Sequence, residues 1–423
     1  MENDNRYIVT RNIEQFVEKE YDRDISPIST LQAGSPIEFQ IPGSSNFYVS
    51  LANTYFDILC TVVAPDGANL PADATVGPVN LFPHALFSNI ELHVNGKQIS
   101  EPSNHYPYRA ILETITNYSS HILEKRHGIE GWTMDTAGHL DITNAHEGDN
   151  VGLISRSMWI ARSRSVRFLF RPHLDMFNQD SDIPPNTELR LRLIPARDNF
   201  FLMANTNDVA YRLVIRNIRL WVRTREVTAQ CLIAHNQQLH SGLSFRILMP
   251  TVRMKTLAIP VGSQRCEYDN LYMGMLPHRI LLAMVLDEHM SGTYTSNPFN
   301  FQHFTLNHIA IRVNGEQIPR VAYQPSFAAA AEDYNREYLG TLSALDMDTD
   351  CEKTLCLSPA QWAAGYTFFA FKLFPTQSQA RPSGSIRLEL RFENQTEHII
   401  NIVLLAESVA AIEIDKYKNV LIS

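Results

Sequence analysis

The chain has 423 residues, 44% of them hydrophobic and 19% charged, which is enough length for two or three domains, enough apolar content for a sizeable core, and too little charge for a long disordered tail. Its net charge of −9 argues against a protein whose main work is coating nucleic acid, because phosphate contacts dominate that affinity and call for a basic surface. No apolar run approaches a membrane-spanning helix, the start MENDNRYIVT lacks a secretory pattern, Glu2 stands where N-myristoylation needs glycine, and the five cysteines (Cys60, Cys231, Cys266, Cys351, Cys356) read as reduced thiols of the cytosol or nucleus.

Residues 1–35 are expected to form an N-terminal arm. Ile13, Phe16, Val17 and Tyr21 make a helical stripe that Pro27 ends. The stripe suits a short helix packed under its own domain, or an arm docked on a neighbouring subunit or an inner layer. Seven acidic residues (Glu2, Asp4, Glu14, Glu18, Glu20, Asp22, Asp24) face four basic ones here (Arg6, Arg11, Lys19, Arg23), so this is no genome-binding arm.

From 37 to 227 the pattern is β, with strands expected at 37–41, 55–63, 90–94, 167–170, 188–194 and 212–223. A helix interrupts at 106–118, where Ala110, Ile111, Thr114, Ile115 and Tyr118 share a face, and a polar excursion covers 124–157. A connector at about 228–243 leads to a second β-rich half, with strands at 253–259, 279–286, 308–313, 366–374, 385–392 and 399–405 and short helices at 328–336 and 358–364. The alternating segment 409–423 suits pairing with a sheet edge or a neighbouring subunit. Many short strands separated by turn signals argue a sandwich or jelly roll over a parallel α/β sheet.

The two halves carry the same motif. Ile90–Ile99 reads IELHVNGKQI and Ile309–Ile318 reads IAIRVNGEQI, with six of ten positions identical. Apolar residues alternate (Ile90, Leu92, Val94; Ile309, Ile311, Val313), then Asn95-Gly96 and Asn314-Gly315 supply the positive φ of a type I′ turn. VRFLF at 166–170 echoes TFFAF at 367–371, LRLRL at 189–193 echoes IRLEL at 386–390, and 212–222 sits where 399–405 sits. Alternating strands all look somewhat alike; the shared order is what argues duplication. A β-module built twice points to a scaffold and away from a one-site catalyst.

The chain has no phosphate loop, nucleophile elbow, HExxH or EF-hand motif. Two metal-like groups, His139/Asp141/His146/Glu147/Asp149 and Asp287/Glu288/His289, fall in expected loops where polar clusters are ordinary, and Cys351-x4-Cys356 lacks a second pair. An arginine series (Arg156, Arg162, Arg164, Arg167, Arg171, Arg190, Arg192, Arg197, Arg212, Arg216, Arg219, Arg223, Arg225) reads first as a solvated sheet face paired to acids across strands, second as subunit contact, third as nucleic-acid binding. Trp132, Trp159, Trp221 and Trp362 are scattered and make no sugar platform. Catalytic residues, cofactors and metal ligands are therefore expected to be none.

The segment 76–118 (VGPVNLFPHALFSNIELHVNGKQISEPSNHYPYRAILETITNY) resembles the first barrel of double-jelly-roll major capsid proteins, with the nearest likeness to those of Polinton/Maverick elements and adintovirus-like viruses. Gly274-Met275-Leu276-Pro277, Asn297-Pro298-Phe299-Asn300-Phe301, 308–319, 365–374 and 387–393 continue the likeness, which covers most of 36–415 and is patchy in 124–157 and at both termini. The resemblance implies an all-β chain of two tandem eight-stranded jelly rolls, 36–227 and 246–415, with a connector at 228–245 and a tail at 416–423. It further implies homotrimers of pseudo-hexagonal outline that tile an icosahedral shell around double-stranded DNA. The partners would be other copies, neighbouring capsomers and penton or minor capsid proteins, with no strong direct nucleic-acid binding, and the location a virion assembled in nucleus or cytoplasm. The family has no catalytic residues to carry over. The alternatives are a two-sandwich glycan-processing enzyme or carbohydrate-binding protein, and a domesticated host copy of a capsid gene.

Overall fold

The computed structural model describes residues 7–10, 13–328, 332–347, 354–374 and 383–422. In chain order the first half contains β1 (Tyr7–Ile8), β2 (Val17–Ile25), β3 (Ile37–Ile41), β4 (Phe47–Val63), β5 (Val76–Pro78), α1 (Phe82–Ala85), β6 (Phe87–Val94) and β7 (Lys97–Gln98). It continues with α2 (Tyr106–Asn117), α3 (Ser120–Lys125), α4 (Val151–Ile160), β8 (Val166–Phe170), β9 (Leu189–Pro195), α5 (Asp198–Phe201), β10 (Leu202–Ala204) and β11 (Arg212–Val227). After α6 (Ala229–His240) come β12 (Ser244–Ile259), β13 (Arg265–Tyr268), β14 (Met273–Met275), β15 (Arg279–Leu286), α7 (Asp287–Ser291), β16 (Leu306–Val313) and β17 (Glu316–Tyr323). The chain ends with α8 (Asn335–Ala344), α9 (Pro359–Ala363), β18 (Phe368–Lys372), β19 (Ser383–Phe392), β20 (Ile400–Ile414) and β21 (Val420–Ile422).

The first half pairs its strands as β2-β11-β4-β8 in one sheet and β3-β9-β6-β7 in the other; the second half pairs them as β12-β20-β15-β18 and β13-β19-β16-β17. Counting the eight principal strands of each half in chain order, both halves run first-eighth-third-sixth in one sheet and second-seventh-fourth-fifth in the other. That connectivity is the jelly roll, present twice.

The repeat extends to register. Ile90, Leu92 and Val94 lie opposite Leu193, Leu191 and Leu189, and Ile309, Ile311 and Val313 lie opposite Leu390, Leu388 and Ile386. At the turns Asn95 and Asn314 have φ of 48° and 50° and the following glycines 81° and 90°. Each asparagine also closes the same clasp on the neighbouring strand. The Asn95 amide donates to the Glu188 carbonyl while Asn95 Oδ1 accepts from the Glu188 amide, and Asn314 does the same with Ser385, at 2.9–3.1 Å throughout. The asparagine is thus chosen twice over, for its tolerance of the left-handed region and for an oxygen that accepts the partner strand's amide.

Several expectations change. Residues 17–25 are an edge strand of the first barrel, paired with β11 through Ile25↔Leu220 to Glu20↔Arg225, and only Ile13–Phe16 makes a helical turn, of the 3-10 type. The period-two acidic series Glu18, Glu20, Asp22, Asp24 outweighs the sparse helical stripe, because β11 offers Arg219, Arg223 and Arg225 opposite it. The connector is helical as α6, capped by Thr228, whose side chain accepts from the Cys231 amide. The helix expected at 328–336 lies instead at Asn335–Ala344, with 329–331 outside the described residues, while the one at 358–364 forms with a Ser358/Gln361 capping box. Residues Val420–Ile422 fold back on Ile412–Ile414 as a terminal hairpin. A single apolar core runs through both barrels, from Phe39, Phe56 and Leu191 to Leu388 and Ile402.

Candidate functional site: the seam between the barrels

The helix α2 lies where the barrels meet. Its YPYRAILETITN sequence has Pro107 in the first turn and is buried along its whole length from Tyr106 to Thr116, as a helix packed on more than one side must be. Two charged side chains lie in this buried stretch. Arg109 Nε donates to Glu113 Oε1 at 2.7 Å, one helical turn on, and Arg109 Nη2 donates to Asp175 Oδ1 at 2.6 Å. Glu113 Oε2 lies 2.7 Å from His173 Nδ1. Burial by itself would raise Glu113, but the Arg109 charge and His173 hold it down to about 2. For Asp175 burial wins over Arg109, and its carboxyl is raised.

This network reaches across the seam. Asp175 Oδ1 also accepts from the Val252 amide at 3.2 Å, and Glu101 Oε2 accepts from the Met254 amide at 2.6 Å, so two acids of the first barrel satisfy backbone donors of β12 in the second. On the second barrel Arg279 Nε donates to Glu407 Oε2 at 2.9 Å, and Glu407 lies within electrostatic reach of Glu113 and Arg109. Burial raises both Glu101 and Glu407. Tyr108 of α2 meets Phe299 and Phe301 edge-on or tilted at 5.9 and 6.2 Å, and Cys356 Sγ donates to the Ile115 carbonyl at 3.8 Å.

A second junction is built around Arg156, whose side chain is fully buried. It donates to the Pro78 carbonyl (2.8 Å), the Thr133 carbonyl (2.5 Å) and Asp135 Oδ1 (2.5 Å). Asp135 then accepts from Asn297 Nδ2 at 3.1 Å and from the Tyr366 hydroxyl, through its carbonyl, at 3.1 Å. The Gly138 amide donates to the Ala364 carbonyl at 2.7 Å. A third contact ties the terminal hairpin to the first barrel: Asn95 Nδ2 donates to the Lys418 carbonyl (3.1 Å) and Lys97 Nζ to the Val420 carbonyl (2.9 Å). The N-terminal segment also bridges the halves, since β1 runs parallel to β12 at Ser244 and Phe245 before β2 joins the first barrel.

The residues singled out in the sequence fall as follows. Asp141, from the first metal-like group, accepts from the Asn297 amide at 2.9 Å and Asn300 Nδ2 at 2.5 Å; it serves the second junction and comes to 4.0 Å from His289 of the other group. Asp287 accepts from Asn401 Nδ2 and His146 lies against the Ala74 carbonyl. Among the described residues no three metal-ligating side chains converge. Cys351 lies outside the described residues. Arg190 pairs with Glu38, Arg192 with Glu38 and Glu91, Arg219 with Asp24 and Arg167 with Asp57, so these arginines lie on a sheet face paired across strands. Arg156 departs from that reading: it is a buried tie, because α4 turns it inward onto three acceptors. The network at Arg109, Glu113, His173 and Asp175 escaped the sequence reading. Its one local signal was an Arg-x3-Glu pair on an otherwise apolar helix.

No family model matches the chain. An uncharacterized protein of Caenorhabditis elegans, F54H12.2, is 22% identical over 301 residues, which is 69% of this chain and 69% of that protein. The structure of the Sputnik virophage contains a chain that matches with a TM-score of 0.65 at 8% identity, covering 96% of this chain and 89% of that one. The capsid of PBCV-1 matches at 0.56 with 11% identity over 96% of both chains, and the mavirus major capsid protein at 0.53 with 9% identity over 95% of this chain and 90% of that one. The fold is that of double-jelly-roll viral major capsid proteins. At these identities the likeness is one of fold.

Proposed function

We propose that this chain is a structural building block of the major-capsid type, which associates with copies of itself into trimers of pseudo-hexagonal outline that tile an icosahedral shell around a double-stranded DNA genome. The observation that carries this reading is that two barrels of one connectivity are locked into a single body by buried hydrogen bonds across the seam and by apolar packing. Two similar barrels per chain give a threefold oligomer six similar sides, which suits hexagonal tiling. The proposal extends to a Polinton- or adintovirus-like origin, to contacts with penton or minor capsid proteins, and to residence in the virion. It includes the partition into two barrels joined at the 228–243 connector, the first counted from β2 and not from residue 36. Where a glycan enzyme between two sandwiches asks for a carboxylate pair in an open cleft, Glu113 and Asp175 are buried and engaged by Arg109. The test is a mass measurement on the purified protein followed by negative-stain imaging. Trimers of hexagonal outline, or shells, are expected; a monomer at every concentration rejects the proposal.

A second reading is favoured by the relative from an animal: the chain is a host-encoded copy of such a gene. It predicts trimers without closed particles on expression, where the first reading predicts particles.

A further inference from the structure

Asparagine followed by glycine occurs at two places in the chain, Asn95-Gly96 and Asn314-Gly315, which are the two hairpin turns. The pair carries a reaction as well as a conformation. The backbone nitrogen of the glycine can attack Cγ of the asparagine side chain, because no Cβ on the glycine screens it. A nitrogen–carbon bond forms, the side-chain amide leaves as ammonia, and a cyclic succinimide results. Water then opens the ring at either carbonyl and gives aspartate or isoaspartate. In sum, amide and water become carboxylate and ammonia, with no oxidant, reductant or metal. In a folded chain the rate depends on how freely the side chain can turn Cγ toward that nitrogen.

The two asparagines share one restraint and differ in another. Oδ1 of each accepts an amide of the neighbouring strand, from Glu188 at 2.9 Å and from Ser385 at 3.0 Å. Nδ2 of Asn95 also donates to the Lys418 carbonyl at 3.1 Å, and Lys97 of the same hairpin holds the Val420 carbonyl at 2.9 Å, so the terminal hairpin lies against the first turn. Among the described residues Nδ2 of Asn314 has no such acceptor. Asn95 is half-buried, whereas Asn314, Gly315 and Glu316 are all exposed. The single clasp on Asn314 further depends on Gly384, where an added Cβ would fall 2.0 Å from Asn314 Oδ1 and 2.6 Å from its Cγ.

We propose that Asn314 is a site of spontaneous deamidation, and that the terminal hairpin shields Asn95, so that the turn of the second barrel converts ahead of its twin. Conversion adds one negative charge to a chain that already carries −9 and places it two residues from Glu316. The isoaspartate product also routes the main chain through Cβ and lengthens the turn. Asn314 and Gly315 hold that turn at φ of 50° and 90°, and Val313 pairs with Glu316 directly across it. A longer turn no longer fits this register, and the β16-β17 hairpin loosens from its tip.

The full chain, folded and purified, is held in mildly alkaline buffer, sampled over days, digested and mapped by mass spectrometry, with isoaspartate separated from aspartate by retention time. Asn314 is expected to convert roughly fivefold faster than Asn95, the factor that one net hydrogen bond contributes. Gly384→Ala, which drives the Asn314 side chain out of its clasp, is expected to raise the rate at Asn314 and leave Asn95 unchanged. Deleting residues 416–423 is expected to do the reverse, raising Asn95 toward the rate of Asn314. Equal rates in the wild type, a faster Asn95, or no conversion at either site overturn the proposal. So does a Gly384→Ala chain with the wild-type circular dichroism spectrum that converts no faster at Asn314; if that variant does not fold, the wild-type rates decide.

Discussion

At the scale of single residues the most exacting positions are the turn asparagines. Asn314 takes a left-handed conformation and accepts the Ser385 amide. Asn314→Ala loses both, at about 1–2 kcal/mol for the conformation and roughly 1 kcal/mol for the bond; chemical denaturation of the variant is expected to show a loss of about 2–3 kcal/mol. Glu113 is the keystone of the seam, paired with Arg109 and hydrogen-bonded to His173. Glu113→Gln removes one of the two carboxylates that hold the buried Arg109, leaving Asp175 alone, and the thermal midpoint is expected to fall by the equivalent of up to about 3–5 kcal/mol. His84 sets a pH dependence. Burial depresses it from 6.5 to about 4, so its neutral form contributes stability that is complete above 6.5 and is lost as pH falls through that window. At about 1.4 kcal/mol per pKa unit the loss is roughly 3 kcal/mol. Glu113, held near 2, gives up its share only in stronger acid, whereas the raised Asp175, Glu101 and Glu407 act in the opposite sense and favour the fold as pH drops. Stability measured from pH 7 to 4 is therefore expected to fall less steeply in His84→Gln than in the wild type; identical slopes would remove His84 from the account.

At the scale of elements the N-terminal segment changes meaning. Glu20, Asp22 and Asp24 of β2 pair with Arg223 and Arg219 of β11, and Ile13 packs with Tyr48, Val227 and Cys231 in a small satellite core. An edge strand that completes a jelly-roll sheet is not dispensable in the way a free arm is, because its removal bares the backbone of β11. Deleting residues 1–25 is expected to yield aggregated protein or a sharply lowered unfolding midpoint, read by light scattering and circular dichroism. A deletion that folds normally and fails only in self-association would restore the arm. The strands themselves were legible wherever one face is buried and the other wet, as in Leu189–Leu193 with Arg190 and Arg192 outward. Long strands were read short where that alternation breaks down: β20 is buried on both faces from Ile400 to Ala406, and β12 exchanges its buried side near Val252.

At the scale of the whole molecule the apolar outer face of the second barrel is the consequence to test. Leu281, Val403, Leu405 and Phe368 of the β12-β20-β15-β18 sheet are each at most 1% exposed, and β12 of that sheet is tied to the first barrel through Asp175 and Glu101. Expressed alone, residues 228–423 would present a contiguous apolar sheet face, and a patch of that kind drives association. The fragment is expected to bind a hydrophobic dye and aggregate, while adding the first barrel in trans suppresses both. A soluble, dye-silent fragment would mean that the seam is not what covers this face.

The sequence by itself determined the duplication, the hairpin turns and a sandwich or jelly-roll class, because these rest on local alternation and on turn chemistry that a few adjacent residues carry. Only the tertiary structure decided that residues 17–25 are a strand, that Arg156 is buried, and that Arg109, Glu113 and Asp175 meet the amide of Val252. Each of those depends on a partner contributed from a distant stretch of chain, and neither periodicity nor spacing within a short window records which distant partner that will be.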